Sequence, residues 1–297
     1  MANFSYEVFT RVVEQGTFNS AAIELNVTPS AVSHSISQLE TDLGFPLFIR
    51  NRTGVQLTAD GRKILPIIQT ILNTEEQLKQ VSNNIIGLNS GRIRIGAFSS
   101  VSTNWLPEII QEFKQQYPKI KIELIQGGFN EIAEAVRVGS IDIGFSLLPI
   151  TENISVEPLI KDPIFCVTPA DFIPRNKKTL TKSDTDRQNF ILQEGDYDRD
   201  TKRALDKYQV SGNAISYSID DASILAMVES GLGLGILPEL ALKKVSGAYN
   251  VFPFSNDFAR TICLLTNPTT QKSPAVTKMH EVIFEYLKAQ YEQEFLS

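Results

Sequence analysis

Residues 28–44 read TPSAVSHSISQLETDLG, and this stretch decides the fold of the N-terminal region. Thr28 is a good helix cap, and Pro29 suits the first position inside a helix. Apolar side chains then recur at the spacing of one buried helical face. They are Val32, Ile36, Leu39 and Leu43. The pattern predicts an amphipathic helix that begins at Pro29.

The outward face of this helix carries small or planar hydrogen-bonding groups. They are Ser30, Ser33, His34 and Ser37. A solvent-exposed helix face that binds no partner usually carries Lys and Glu. Hydroxyl and imidazole groups, by contrast, can reach phosphates and base edges without filling the major groove. The face therefore favours DNA binding, and an ordinary amphipathic helix is the alternative interpretation.

The neighbouring segments favour a winged helix-turn-helix. Ala21 and Ala22 precede the helix and allow a close helix–helix approach. The segment 44–58, GFPLFIRNRTGVQLT, follows it and predicts two short strands, with Arg50 and Arg52 near the tip of the wing. Phosphates or a narrow minor groove would meet the arginines there, and a structural role for one of them is the alternative. The candidate DNA contacts are Thr28, Pro29, Ser30, Ser33, His34, Ser37, Arg50 and Arg52.

Bulk charge does not indicate a nucleic-acid partner, because the chain has a net charge of −6. Residues 1–63 hold five Lys or Arg against six Asp or Glu, but four of the five cations lie between positions 50 and 63. No apolar run approaches the roughly 18 residues of a membrane span, and the N-terminus does not resemble a signal peptide. We therefore expect a cytoplasmic chain with no membrane partner.

Catalytic and metal-binding side chains are scarce. His34 and His280 are the only histidines, and Cys166 and Cys263 the only cysteines. Both cysteines lie in apolar strand-like runs, which indicates buried thiols, and a redox pair is the alternative. We expect no metal, no cofactor and no enzymatic activity, because no nucleophile–base pair is evident.

Residues 59–88 predict one long helix with a broad apolar stripe. Pro66 lies within its first two turns and predicts a local bend or a late start of the helix rather than a break. This apolar stripe must pack against another apolar surface, and we expect residues 59–88 to form the dimerisation helix. The members of the stripe are Ile64, Leu65, Ile67, Ile68, Ile71, Leu72, Leu78, Val81 and Ile85.

From Gly91 onward, strand and helix patterns alternate, which predicts parallel sheets covered by helices. We expect two subdomains, residues 91–162 with 267–297 and residues 163–266. Ligands of such folds bind at strand ends. Hydroxyl groups follow the first strand, where free backbone N–H groups favour an anion, although helix capping explains them equally well. The candidate effector contacts are Ser99, Ser100, Val101, Ser102, Gly128, Phe129 and Phe145 on one wall, with Asp196 and Asp220 near the other.

The N-terminal pattern resembles that of the LysR-type transcriptional regulators. The matching residues are Phe9, Val12, Gly16, Thr17, Phe18, Ala21, Ala22, Leu25, Ser33, Ile36, Leu39, Glu40, Leu43, Gly44, Leu47, Phe48, Arg50, Leu57, Thr58 and Gly61. The resemblance continues through the long helix and through GRIRIGAF, LPEIIQEFKQQYP, IDIGF and ESGLGLGILPE. It implies a homodimer or homotetramer built through the linker helix, and an effector domain folded like a periplasmic binding protein. Many members carry Arg where this chain has His34, so the resemblance does not supply the target sequence.

The expected chain is a multidomain α+β and α/β protein. It comprises a winged helix-turn-helix DNA-binding domain (1–58), a linker and dimerisation helix (59–88) and an effector-binding domain (91–297). The expected function is transcription regulation on double-stranded DNA, set by a small effector for which an anion is favoured. A small-molecule transport protein would explain residues 91–297 but not 1–58. An α/β enzyme is opposed by the scarcity of histidine.

Overall fold

The computed structural model describes residues 2–51, 54–85, 90–186, 188–193, 199–208, 214–217 and 221–291. These residues form a helical N-terminal domain with a small hairpin, a long connecting helix, and a C-terminal α/β region built on a mixed sheet. The predicted fold class, a winged helical domain joined by a linker helix to an α/β domain, is therefore confirmed.

Three helices build the N-terminal domain: α1 (Ala2–Gln15), α2 (Phe18–Glu24) and α3 (Pro29–Leu43). The Thr28 hydroxyl oxygen accepts a hydrogen bond from the backbone N–H of Ala31 at 3.2 Å, so the predicted start of α3 is confirmed. The apolar faces of the three helices meet in one core. Its helical members are Val8, Phe9, Val12, Ala21, Ala22, Val32, Ile36 and Leu39.

The predicted wing is an antiparallel hairpin of β1 (Phe48–Asn51) and β2 (Gly54–Leu57). Glu40 on α3 anchors it, because the carboxylate accepts hydrogen bonds from the backbone N–H groups of Leu47 at 2.7 Å and Phe48 at 3.2 Å. Charge-assisted bonds of this kind are stronger than neutral ones. The wing is therefore held at a fixed place relative to α3.

The linker helix α4 (Ala59–Ile85) runs past Pro66 without ending. Residues 86–88, predicted as its last turn, lie outside the described residues. Four apolar side chains near its start pack onto the N-terminal core, namely Ile64, Leu65, Ile68 and Leu72. The first half of α4 is thus part of the N-terminal domain. Among the described residues, every helix is too short or too polar to span a bilayer.

The α/β region alternates strands and helices much as predicted. The strands are β3 (Gly91–Ala97), β4 (Ile120–Gln126), β5 (Ile143–Leu147), β6 (Ser155–Pro169), β7 (Phe190–Gln193), β8 (Ala214–Tyr217), β9 (Leu234–Pro238), β10 (Tyr249–Pro253) and β11 (Ala259–Thr266). The helices are α5 (Ser99–Asn104), α6 (Leu106–Gln116), α7 (Phe129–Val138), α8 (Lys182–Thr185), α9 (Arg199–Lys207), α10 (Asp221–Glu229), α11 (Glu239–Leu242) and α12 (Pro274–Gln290). A short 3₁₀ turn, Thr270–Lys272, precedes α12.

The strand order is β4-β3-β5-β11-β6-β9-β7-β8, and β10 pairs with β6. Pairing is parallel at both ends, as predicted, but β6 and β11 in the middle are antiparallel to their neighbours. The strand β6 begins at Ser155 and ends at Pro169, so it runs across the subdomain boundary expected after residue 162. The strand β6 pairs with β11 along its first part and with β9 and β10 along its second, so it joins the two halves of the sheet.

Candidate DNA-binding surface and effector wall

The outward face of α3 presents the predicted polar groups. The side chains of Ser30, His34 and Ser37 are exposed, and that of Ser33 is half-buried. Within the described part of the chain, none of these four side chains hydrogen-bonds to another residue. Their hydroxyl and imidazole groups are therefore free to bind phosphates or base edges. Thr28 and Pro29 are exposed at the N-terminal end of the same helix, which favours a phosphate.

The structure brings one predicted wing arginine close to the helix-turn-helix. Arg50 is exposed on β1, and its guanidinium carbon lies 4.7 Å from the centre of the Phe18 ring. A cation over an aromatic face is attracted to it, so Phe18 orients the arginine. The contact gives Arg50 a structural role without consuming its hydrogen-bond donors. Arg52 lies outside the described residues.

Ion pairs bind several acidic side chains of residues 1–63 to cations on α1 and α4. Arg11 lies 2.7 Å from a Glu14 oxygen and 2.6 Å from a Glu24 oxygen, which joins α1 to α2. Lys63 lies 3.0 Å from Asp60 in the first turn of α4. Three of the six acidic residues in 1–63 are therefore paired with cations, so their negative charge is partly neutralised.

The predicted effector wall lies where β3, β4 and β5 end side by side. The backbone N–H of Gly127 donates to Ala97 O at 3.3 Å, and the Ser146 hydroxyl donates to Phe129 O at 3.0 Å. These bonds hold the starts of α5 and α7 next to the end of β5. The rings of Phe98 and Phe129 meet edge to face at 5.0 Å.

The predicted wall residues differ in how much side chain they present. Ser99, Ser102, Gly128 and Phe129 are half-buried and lie at the wall. By contrast, Val101 and Phe145 are fully buried in the core. Core packing uses the side chains of Val101 and Phe145, because both follow the apolar pattern of their elements. Asp196 and Asp220, expected near the opposite wall, lie outside the described residues.

An ion pair that the sequence did not indicate supports this wall. Arg260 on β11 stands opposite Asp162 on β6, with its Nε 2.8 Å from the carboxylate, and both side chains are more than nine-tenths buried. Arg260 also donates to the Ser100 hydroxyl oxygen at 2.9 Å and lies over the Phe98 ring at 5.0 Å. Asp162 accepts the backbone N–H of Leu240 at the start of α11. The pair thus links the serine-bearing helix to both central strands and to α11.

Two family models match the chain. The model for the bacterial regulatory helix-turn-helix protein, lysR family, covers residues 5–62, and the model for the LysR substrate binding domain covers residues 87–288. The chain belongs to the LysR family of transcription regulators. It carries a helix-turn-helix DNA-binding domain and a LysR substrate-binding domain, and its relatives are regulators rather than enzymes.

Similar regulators are found in several bacteria. The uncharacterized HTH-type transcriptional regulator YvbU of Bacillus subtilis is 35% identical over 242 residues, which are 80% of this chain and 81% of YvbU. The HTH-type transcriptional regulator CzcR of Bacillus cereus is 32% identical over 247 residues, 82% of this chain and 83% of that protein. The LysR-family similarity therefore extends well beyond the helix-turn-helix.

Solved LysR-family structures share the fold of the whole chain. A full-length OxyR variant from Pseudomonas aeruginosa superposes with a TM-score of 0.73 at 22% identity, over 97% of this chain and 94% of that one. Full-length CbnR complexed with its target DNA gives 0.63 at 19% identity, over 96% and 100% of the two chains. At these identities the likeness concerns the fold.

The two thiols are confirmed as buried, since Cys166 and Cys263 have no exposed surface. Burial raises the pKa of the Cys166 thiol far above its usual value and that of Cys263 to about 12. Only the thiolate is nucleophilic, and a raised pKa means that the thiolate is scarce until the pH approaches that pKa.

We expect both cysteines of the native chain to resist iodoacetamide between pH 7 and pH 9. Denaturation in guanidinium should expose them and make both react within minutes at the same pH. Intact-mass spectrometry after each treatment counts the modified thiols. A native chain that gains a carbamidomethyl group at pH 7 as fast as the denatured chain would contradict the buried-thiol interpretation.

Proposed function

We propose that α3 enters the major groove and that the wing holds the adjacent phosphates. The observation that carries this proposal is the exposed face of α3, whose hydroxyl and imidazole groups are free of intramolecular bonds. The candidate contacts are Thr28, Pro29, Ser30, Ser33, His34, Ser37, Arg50 and Arg52. The acting unit is then a winged helix-turn-helix at 1–58, a linker and dimerisation helix at 59–88 and an effector domain at 91–297, working in the cytoplasm.

Substituting one residue in α3 and one in the wing separates contacts with base edges from contacts with phosphates. Arg50→Ala should weaken binding to specific and random DNA alike by about tenfold, and should reduce the salt dependence by about one counterion, because it removes a phosphate contact. His34→Ala should instead alter the ranking among operator sequences, because its imidazole lies at the base edges. Fluorescence anisotropy at several salt concentrations measures both effects.

Lys63→Ala serves as the matched control for Arg50→Ala, because Lys63 is also exposed but already pairs with Asp60. We expect its DNA affinity to change by less than about twofold, since exposed ion pairs contribute little. The assignment of α3 and the wing fails if both His34→Ala and Arg50→Ala bind every sequence as the parent does.

The exposed apolar side chains of α4 support dimerisation. Ile67, Ile71, Leu78, Val81 and Ile85 are between 39% and 80% exposed. With Thr74, they recur at alternating steps of four and three residues, which is the spacing of a coiled-coil seam. We propose that this seam, formed by Ile67, Ile71, Thr74, Leu78, Val81 and Ile85, packs against the same seam of a second copy. A homodimer, or a homotetramer made from two dimers, would place two α3 helices on one operator.

We also propose that a small molecule with a hydrogen-bond acceptor, such as a carboxylate, binds between the two subdomains. Supporting features are the Ser99 and Ser102 hydroxyl groups and the aromatic edge of Phe129 at the strand ends. Arg260 supplies a cation behind this wall, but Asp162 balances it, so the site suits a singly charged ligand better than a polyanion. Asp196 and Asp220 would face the ligand from the other subdomain.

A thermal-shift screen against organic acids, amino acids and neutral sugars tests the effector site. An organic acid at 100 times its Kd should stabilise the parent by about 2.7 kcal/mol, which corresponds to several degrees in Tm. Ser102→Ala and Ser99→Ala should lose most of this shift, whereas Thr103→Ala, an exposed residue on the same helix, should keep it. Stabilisation by neutral sugars alone, or equal shifts in all variants, would show that this wall does not bind the effector.

A further inference from the structure

The linker helix has a second face, which is polar and buried. Gln69, Asn73 and Gln80 lie at steps of four and seven residues, so they share one side of α4. Their exposed fractions are 5%, 9% and 2%. Buried amides are retained only where their donors and acceptors find partners. The partners of these amides therefore determine where α4 docks.

Asn73 joins α4 to a buried ion pair of the effector domain. Its side-chain N–H donates to Gly139 O, just after α7, at 2.9 Å. Its oxygen accepts from Arg94 on β3 at 2.9 Å and from Gln69 at 3.2 Å. Arg94 is in turn held by Asp142 at 2.7 Å, so Asn73 adds α4 to an existing charged cluster.

Gln80 makes equivalent contacts two turns further along α4. Its side-chain N–H donates to Arg92 O at 3.0 Å, near the start of β3. Its oxygen accepts the Ser273 hydroxyl at 2.6 Å and the Ala275 N–H at 3.4 Å, at the start of α12. Asn73 and Gln80 thus contact three different elements of the effector domain.

We propose that Asn73 and Gln80 fix the linker helix to the effector domain of its own chain. An apolar contact tolerates sliding and rotation, whereas a shift of α4 would leave several buried polar groups without partners at once. Ile68 of the same helix lies in the core of the DNA-binding domain. The DNA-binding domain, α4 and the part of the effector domain that holds β3 therefore move together.

The proposal predicts a single distance between the DNA-binding domain and the first subdomain. Spin labels at Thr41→Cys on α3 and Lys119→Cys before β4 report it, because both positions are exposed and the native cysteines are buried. Double electron–electron resonance on full-length labelled chains, diluted with unlabelled chains, should give a narrow distribution for the parent. The double variant Asn73→Ala, Gln80→Ala should broaden this distribution at least about twofold, since α4 is then no longer held to the effector domain and the connection can bend.

Two further variants keep this test decisive. Ser82→Ala, at an exposed position of α4, should leave the distribution as narrow as in the parent. Gly91→Ala keeps both amides but places a methyl group 2.8 Å from the Gln80 side-chain carbonyl carbon, so it should broaden the distribution as Gln80→Ala does. The measurement uses neither DNA nor effector, so its outcome is independent of the proposed function.

An unchanged width in the Asn73→Ala, Gln80→Ala double variant would overturn the proposal. If circular dichroism shows that the double variant is unfolded, the widths measured for the single variants Gln80→Ala and Gly91→Ala test the proposal instead. Unchanged widths in both single variants would likewise overturn it, and broadening in both would support it.

Discussion

Replacing Ile71 and Leu78 together with glutamate should turn the chain into a monomer and weaken operator binding by at least about 100-fold. Both side chains lie in the exposed seam of α4, at 42% and 68% exposure. Charges introduced into a coiled-coil seam must be desolvated against an apolar partner, which costs more than the seam contributes. Without the partner, each α3 helix binds its half-site alone and the gain from linking two sites is lost.

Sedimentation velocity measures the oligomeric state, and fluorescence anisotropy on a two-half-site operator measures the affinity. Thr70→Glu with Ser82→Glu is the matched control, because it adds the same charge at exposed positions of α4 outside the seam. The control should remain a dimer. A dimeric Ile71→Glu, Leu78→Glu variant with unchanged affinity would show that the seam is not the interface.

Arg260→Met should lower the free energy of unfolding by about 3–5 kcal/mol, because it leaves the buried Asp162 carboxylate without its partner. The side chains of Arg260 and Asp162 are 6% and 2% exposed, so water cannot replace the lost contact without a structural change. The variant also removes the donor to Ser100. We therefore expect a weakened response to any ligand that binds the serine wall.

Urea unfolding of the parent, Arg260→Met, Asp162→Asn and the double variant forms a double-mutant cycle. Adding Asp162→Asn to Arg260→Met should restore part of the stability, since asparagine is uncharged and its oxygen can still accept the Leu240 N–H. Lys161→Met, an exposed neighbour on the same strand, should change stability by less than about 0.5 kcal/mol. An Arg260→Met variant as stable as the parent would mean that the pair does not support the wall.

The helix-turn-helix could be predicted from sequence because its signals are local. The cap at Thr28, the apolar spacing from Val32 to Leu43 and the polar outer face all lie within seventeen residues. The linker helix was predictable for the same reason. The apolar stripe of this helix, however, has two roles. Ile68 packs into the core of the DNA-binding domain, whereas Ile71 is exposed, and the spacing of the apolar residues alone does not separate these roles.

The features that sequence reasoning missed depend on contacts between distant residues. Arg260 and Asp162 are 98 positions apart, and nothing local marks them as a pair. Asn73 and Gln80 resemble ordinary surface amides until β3 and α12 are placed against them. The subdomain boundary expected after residue 162 falls inside β6, because β11 pairs with residues on both sides of it, as far as Pro163.

The most direct test of operator recognition by α3 is a DNase I footprint of the full-length chain on the DNA upstream of its own gene. We predict saturable protection of two half-sites whose centres lie about 34 Å, or one helical turn, apart. Substituting Ser33 and His34 with alanine should abolish protection at concentrations that saturate the parent. Equal protection of upstream and random DNA by the parent, or an unchanged footprint in the variant, would contradict the claim that α3 recognises the operator.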